Sequence, residues 1–182
     1  MEYEQLIKER YSVRKFSDKE ISQEELNKIL DAGRVAPTAK NLQPIKVYVL
    51  KSEDALVKMD KACKCRYGSK TVLFIAADKT KAYTKDYIKV PYNSFEMDAS
   101  IVMTHMMLEA TNLGIGNVWV KAFNEDIIRE EFNLPDNIEP VALLPLGYPA
   151  EDAEPNYRHF ERISMKDFAE EIWWINQEKV LS

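Results

Sequence analysis

Glycine and cysteine are scarce in this chain, with five of the first and two of the second among 182 residues. So few glycines leave no Gly-x-Gly-x-x-Gly for a dinucleotide, and the one Gly-x-Gly, Gly114 to Gly116, ends a helical pattern instead of opening one. The only Gly-Ser-Lys, Gly68 to Lys70, lacks the earlier glycine and the loop length of a Walker A motif. A Gly-x-Ser-x-Gly elbow is missing too, and neither histidine, His105 or His159, has a motif-level partner, so a nucleophile-based hydrolase is unsupported. Cys63 and Cys65 in "KACKCRYG" supply half of a tetrahedral zinc site with both histidines far away in sequence. They read as reduced thiols near a helix end. No apolar run approaches the about 18 residues of a membrane span, and "MEYEQLIKERY" is charged from its second residue, unlike a signal peptide. A cytoplasmic protein is expected. The net charge is −5 and the basic residues are scattered, which argues against a nucleic-acid surface.

What remains is ordinary globular material, 46% hydrophobic and 30% charged. Without repeats, low-complexity tracts or linkers, one domain over residues 1–182 is expected. A first helix spans Tyr3 to about Glu9. A second is capped by Ser22, with Glu25 completing a capping box, and stops near Ala36 because Pro37 follows. "IKVYVL" (45–50) and "TVLFIAA" (71–77) read as strands around an amphipathic helix, "EDALVKMDKACK". Residues 78–93 show no clear period and suggest a long loop over a ligand. Its Tyr83, Tyr87 and Tyr92 either stack on an aromatic ligand or pack the loop down. Residues 94–113 form the central helix, apolar over much of its circumference, in which His105 reads as a packed, hydrogen-bonded core residue. A strand at 116–123, a helix capped by Asn124 and a strand at 140–149 follow. Ser164 with Asp167 caps a last helix that carries Phe168, Ile172, Trp173 and Trp174. By pattern alone, this alternation suggests a parallel doubly wound sheet, with a mixed sheet of four or five strands as the alternative.

Two stretches carry the chemistry. In "RYSVRKF", an extended backbone puts Arg10, Ser12 and Arg14 on one face and Tyr11 and Val13 on the other. Two readings stand: a seat for a phosphate, or solvated charge after a helix. "APTAKNLQP" (36–44) is a proline-fenced loop whose Thr38, Asn41 and Gln43 both donate and accept hydrogen bonds. It is either a polar turn or a reader of a heterocycle's C=O and N–H edge. Glu130 and Glu131 look like a solvated helix face. With no acid–base team, a bound organic cofactor is the better carrier of chemistry, and a phosphate seat beside such a loop suggests flavin mononucleotide (FMN).

The same stretches resemble the FMN-dependent nitroreductase family. "RYSVRKF" is similar to its Arg-x-Ser-x-Arg opening and "APTAKNLQP" to its Pro-Ser/Thr-x-x-Asn-x-Gln-Pro loop. "DASIVMTHMMLEATNLGIGNVWVKAF" resembles its central helix and following strand, and "LLPLGYPAE" its late strand and Gly-Tyr-Pro turn. The four occur in family order over about residues 5–165. Ile45 stands where the family often has tryptophan, and Arg10-Tyr11 replaces the commoner Arg-Arg.

The resemblance implies an α+β three-layer sandwich, its mixed or mostly antiparallel sheet of four to five strands flanked by helices. It implies a homodimer with two FMN sites at the interface. Arg10, Ser12 and Arg14 then hold the phosphate and ribityl end. Pro37, Thr38 and Asn41 reach the flavin from the other subunit, and Gln43 lies near the polar edge of the ring. A backbone N–H near Lys121 or Ala122 addresses N5, while Leu146 and Gly147 pass close to the ring. Arg158 completes the phosphate site, with Arg162 as the alternative. The implied activity is transfer of a hydride from NADH or NADPH through N5 to a small oxidised acceptor, nitroaromatic or quinone. Dehalogenating or oxygen-dependent flavin chemistry, or a non-catalytic flavin store, are the alternatives.

Overall fold

A computed structural model describes residues 1–85 and 91–171. Helices α1 (Tyr3–Glu9) and α2 (Gln23–Arg34) lead through a 3-10 turn at Ala39–Asn41 into strand β1 (Ile45–Leu50). Helix α3 (Glu53–Ala62), strand β2 (Thr71–Asp78) and a short pair, β3 (Thr84–Lys85) with β4 (Tyr92–Asn93), precede the long helix α4 (Phe95–Asn112). Strand β5 (Gly116–Asn117), helix α5 (Glu125–Glu131), strand β6 (Ile138–Gly147), a 3-10 turn at Tyr157–His159 and helix α6 (Met165–Phe168) complete the described order. Ile172, Trp173 and Trp174, expected in the last helix, lie outside the described residues, as does Tyr87 of the 78–93 loop.

The main sheet runs β1-β2-β6-β5 and all its named pairings are antiparallel, not parallel as the local pattern suggests. The reason lies in β2. A continuous apolar run usually marks a parallel strand covered on both faces, and this antiparallel sheet is covered on both faces too. Leu73, Ile75 and Ala77 pack under α2 and α4 with Ala142, Leu144 and Leu146. Val72, Phe74 and Ala76 face the other way, with Met59 of α3, Ile128 of α5 and Leu143. Three layers and two apolar cores result.

The expected strand over 116–123 shrinks to two residues and an isolated bridge between Val120 and Leu143. Pro145 explains the gap. Its carbonyl accepts from the Val118 N–H at 3.4 Å, but it has no N–H to return, so the ladder breaks opposite it. Gly33 lets α2 approach α4, since a Cβ there would stand 2.7 Å from Met106 Cγ. His105 is half-buried, and among the described residues its imidazole makes no hydrogen bond, contrary to the expected bonded core histidine.

The capping box of α2 forms as expected, with Ser22 Oγ accepting from the Glu25 N–H and Glu25 from the Ser22 N–H. A long-range partner was not legible locally: the Tyr148 hydroxyl, from the turn after β6, also donates to Glu25. Hydrogen bonds from Tyr148 first, then from Ser22, hold the Glu25 carboxyl down at about 2. A carboxylate whose pKa is lowered by folding stabilises the fold above its unfolded pKa, and that contribution fades as pH falls toward the folded value. Tyr148→Phe is therefore expected to be less stable than the parent at neutral pH, with the gap narrowing from about pH 4.5 to about pH 2. Urea unfolding at a series of pH values measures it; a pH-independent gap would count against this assignment.

Candidate functional site: a basic cleft and a strained loop

After α1 the chain runs extended beside β5. The Val13 N–H donates to the Asn117 carbonyl at 3.0 Å, and Ser12 bridges Asn117. Val13 is buried against Gly116, where a Cβ would stand 2.8 Å from the Val13 methyl. Arg10, Ser12 and Arg14 look the other way, into a cleft of about 460 Å³. The opposite wall comes from the far end of the chain. Beyond β6, the Ser17 N–H donates to the Tyr148 carbonyl at 2.8 Å and the Ala150 N–H to the Lys15 carbonyl at 3.1 Å. Lys15 pairs with Asp152 at 2.6 Å, and the Tyr11 hydroxyl donates to the Ala153 carbonyl at 3.3 Å. These contacts bring Asn156, Arg158, His159 and Arg162 onto the cleft, so both candidate late arginines line it. Asn156 caps the turn that presents them, accepting from the Arg158 N–H at 3.1 Å.

Among the described residues, no carboxylate lines this cleft. The contrast with the chain's other arginines is informative: Arg34, Arg66 and Arg129 pair with Asp31, Asp60 and Glu139. Among the described residues, none of the four cleft arginines is in an ion pair. Arg14 Nη1 donates to the Ser12 carbonyl at 3.2 Å, Arg158 Nε to the Tyr157 hydroxyl at 3.1 Å, and Arg162 Nη1 to the Glu161 carbonyl at 2.6 Å. Burial first, then the neighbouring Arg162 charge, lowers the Arg10 guanidinium below its ordinary value. Positive charge concentrated with no counter-ion among the described residues attracts anions. Asn156 and His159 were not picked out in the sequence; only the polar run "NYRHFER" hints at them.

The second candidate stretch forms elsewhere. Thr38 and Gln43 border an apolar slot of about 240 Å³, floored by Val102 and Met106 and walled by Leu30, Ala36 and Ile45. It shares no lining residue with the basic cleft of the same chain. Pro37 and Asn41 are exposed on the same loop without lining the slot. This loop is strained: Lys40, Asn41 and Gln43 sit at φ of 51°, 55° and 49° without being glycine. It holds itself partly through Thr38 Oγ1, which accepts from the Gln43 N–H at 3.0 Å.

Lys121 and Ala122 are exposed just past the Val120 bridge, and Lys121 pairs with Glu125 at 2.9 Å. Among the described residues neither of their N–H groups donates to a protein acceptor. Leu146 is fully buried in the core, and its carbonyl accepts from Ser69 Oγ at 2.6 Å. At Gly147 a Cβ would stand 2.9 Å from the Phe16 ring, so packing of Phe16 requires glycine there. Tyr83 and Tyr92 pack edge to face with centroids 6.4 Å apart. Cys63 is buried and burial raises its thiol. Among the described residues no three His, Cys, Asp or Glu side chains gather around a metal position, and no helix is long and apolar enough to cross a membrane.

Known proteins share both the sequence and this architecture. The Nitroreductase family model matches residues 7–70 and 66–148. A protein from Archaeoglobus fulgidus, provisionally named an NADH dehydrogenase/NAD(P)H nitroreductase, is 30% identical over 92% of this chain and 97% of its own. The crystal structure of a nitroreductase family protein from Clostridium difficile 630 superposes with a TM-score of 0.87 at 38% identity, covering 93% of this chain and 98% of that one. An FMN-dependent nitroreductase from Clostridium difficile R20291 superposes with a TM-score of 0.71 at 27% identity, over 84% and 90% of the two chains. The antiparallel three-layer α+β sandwich is thus their fold as well, and with sequence and architecture in agreement the chain belongs to the nitroreductase family of oxidoreductases.

Proposed function

We propose that residues 1–182 form one FMN-binding domain of an NADH- or NADPH-dependent oxidoreductase that reduces a small oxidised acceptor, nitroaromatic or quinone. The observation that carries this is the cleft of four arginines, with no carboxylate among the described residues that line it. A phosphate monoester fits it: Arg10, Arg14, Arg158 and Arg162 supply charge-assisted donors and Ser12 a hydroxyl. When bound, FMN supplies the position, N5, that takes a hydride and passes it on. The chain's part is to hold and orient. The backbone N–H groups of Lys121 and Ala122, which meet no acceptor among the described residues, are the candidates to address the ring, and Thr38 and Gln43 its polar edge; Leu146 and Gly147 shape the strand end nearby.

The reading as a homodimer, with Pro37, Thr38 and Asn41 serving the flavin beside the other subunit's cleft, is supported by two features. The loop and the cleft share no lining residue within one chain. The segment after the cleft also exposes Phe160, Met165 and Phe168 at 72%, 75% and 74%, a density of apolar surface that a monomer rarely leaves in water. The charge and composition suit a cytoplasmic location.

Anaerobic titration of the purified protein, supplied with FMN, with NADH and with NADPH tests the proposal. Loss of the flavin colour, followed by its return on adding a nitroaromatic or quinone, is the expected result. A yellow protein that neither nicotinamide bleaches would be a flavin carrier, and a colourless one that takes up no FMN would sink the reading.

A further inference from the structure

Asp98, in the first turn of α4, is only 2% exposed, and among the described residues no basic side chain pairs with it. Its two oxygens serve different segments. Oδ1 accepts from the Ala39 N–H, in the strained loop, at 2.7 Å, and Oδ2 accepts from the Ser94 hydroxyl at 2.7 Å. Ser94 is itself 1% exposed and clamps Tyr83 from two sides. Its Oγ accepts from the Tyr83 N–H at 3.1 Å, and its N–H donates to the Tyr83 carbonyl at 2.9 Å. The same segments meet again outside, where the Lys40 ammonium stands 4.4 Å from the centre of the Tyr83 ring.

A buried carboxylate is tolerated only while its lone pairs are met by donors. Here those donors come from two separate stretches, so loosening one leaves the other facing an under-satisfied charge. The loop, meanwhile, carries three left-handed residues that relax unless something outside holds them.

We propose that Asp98 is a positioning residue that keeps the 37–43 loop in its cofactor-binding shape and makes that shape depend on the seating of residues 79–85 and 91–94 through Ser94. The proposal rests on the reading of this loop as a flavin contact. Energetic coupling of this kind is reciprocal, so FMN held by the loop also tightens the Tyr83 stretch.

Ser94→Ala tests it, because Ser94 hydrogen-bonds Asp98 and Tyr83 but no residue of the loop. In hydrogen exchange without cofactor, the variant is expected to exchange about tenfold faster at residues 37–43 as well as at 79–85. Its affinities for FMN and riboflavin are expected to fall by the same factor of about ten, since the loop faces the part the two share. Acceleration confined to 79–85 and 91–94, with 37–43 unchanged, overturns the coupling. Should the variant fail to fold, the unmodified protein decides: protection of both stretches by FMN supports the proposal, and protection of the loop alone overturns it. Failure of the cofactor reading looks different, because FMN then protects residues 37–43 in neither protein. That result removes the role toward FMN whatever the cofactor-free exchange shows.

Discussion

Arg10→Ala is expected to weaken FMN by about 10- to 100-fold and riboflavin by no more than about threefold. Riboflavin lacks the phosphate, and a hydrogen bond to a charged group contributes about 1.5–3 kcal/mol, one decade for each 1.4 kcal/mol. Arg10 is the best of the four cleft arginines for this test. It is half-buried, whereas Arg14, Arg158 and Arg162 are exposed, and an ion pair out of water is screened less by salt. Its guanidinium is held below its ordinary value by burial and then by Arg162, so it repels a neighbour in the cofactor-free protein. The variant should therefore melt no earlier than the parent without FMN and clearly earlier with it. Flavin fluorescence titrations and melting curves with and without FMN provide both readouts. Equal losses for the two ligands would show that Arg10 does not meet the phosphate.

Phe74→Ala is the substitution expected to cost most in stability, about 3–5 kcal/mol. Phe74 is fully buried at the centre of the sheet, opposite Tyr48 on one side and Leu143 on the other. Its ring stacks on Tyr48 with centroids 5.4 Å apart and meets Phe132 at 6.1 Å. In a chain of this size a loss of that order lowers the melting temperature by about 6–20 °C. Phe74 belongs to the core under α3 and α5, away from α2 and α4. The folded variant at low temperature should thus bind FMN as the parent does. Phe74→Leu should recover most of the loss; a melting temperature within a few degrees of the parent in the alanine variant would contradict this account of the core.

Much of this architecture was legible in the sequence because the signals were local. Ser22 with Glu25, Asn124, and Ser164 with Asp167 form caps at helix starts, as their positions before apolar-periodic segments imply. Strand direction was not legible: Leu73 to Ala77 is equally apolar in a parallel or an antiparallel sheet, provided both faces are covered. The early break of the strand after Asn117 needed knowledge of what stands opposite, since only pairing with Pro145 reveals the missing donor. The cleft was half legible. Alternation along Arg10 to Arg14 pointed to one wall, but the other comes from residues about Asn156 to Arg162, and nothing in either stretch encodes their meeting. Asp98 was invisible as a linking residue, because an acidic residue in the first turn of a helix is ordinary. Only burial and its two acceptor bonds distinguish it.

The two walls of the arginine cleft, residues 10–14 and 156–162, are joined by nearly the whole length of the chain. An anion gripping both walls acts as a non-covalent clasp on one very long loop, whose closure entropy the intervening sheet has already met. The gripping geometry then exists only in the fully assembled protein, and an unfolded or partly folded chain presents no such seat. A phosphate-bearing ligand held by both walls would bind the native state alone, and each tenfold rise in its concentration above Kd would add about 1.4 kcal/mol to stability. During synthesis, the two walls cannot meet before residues 156–162 have left the ribosome.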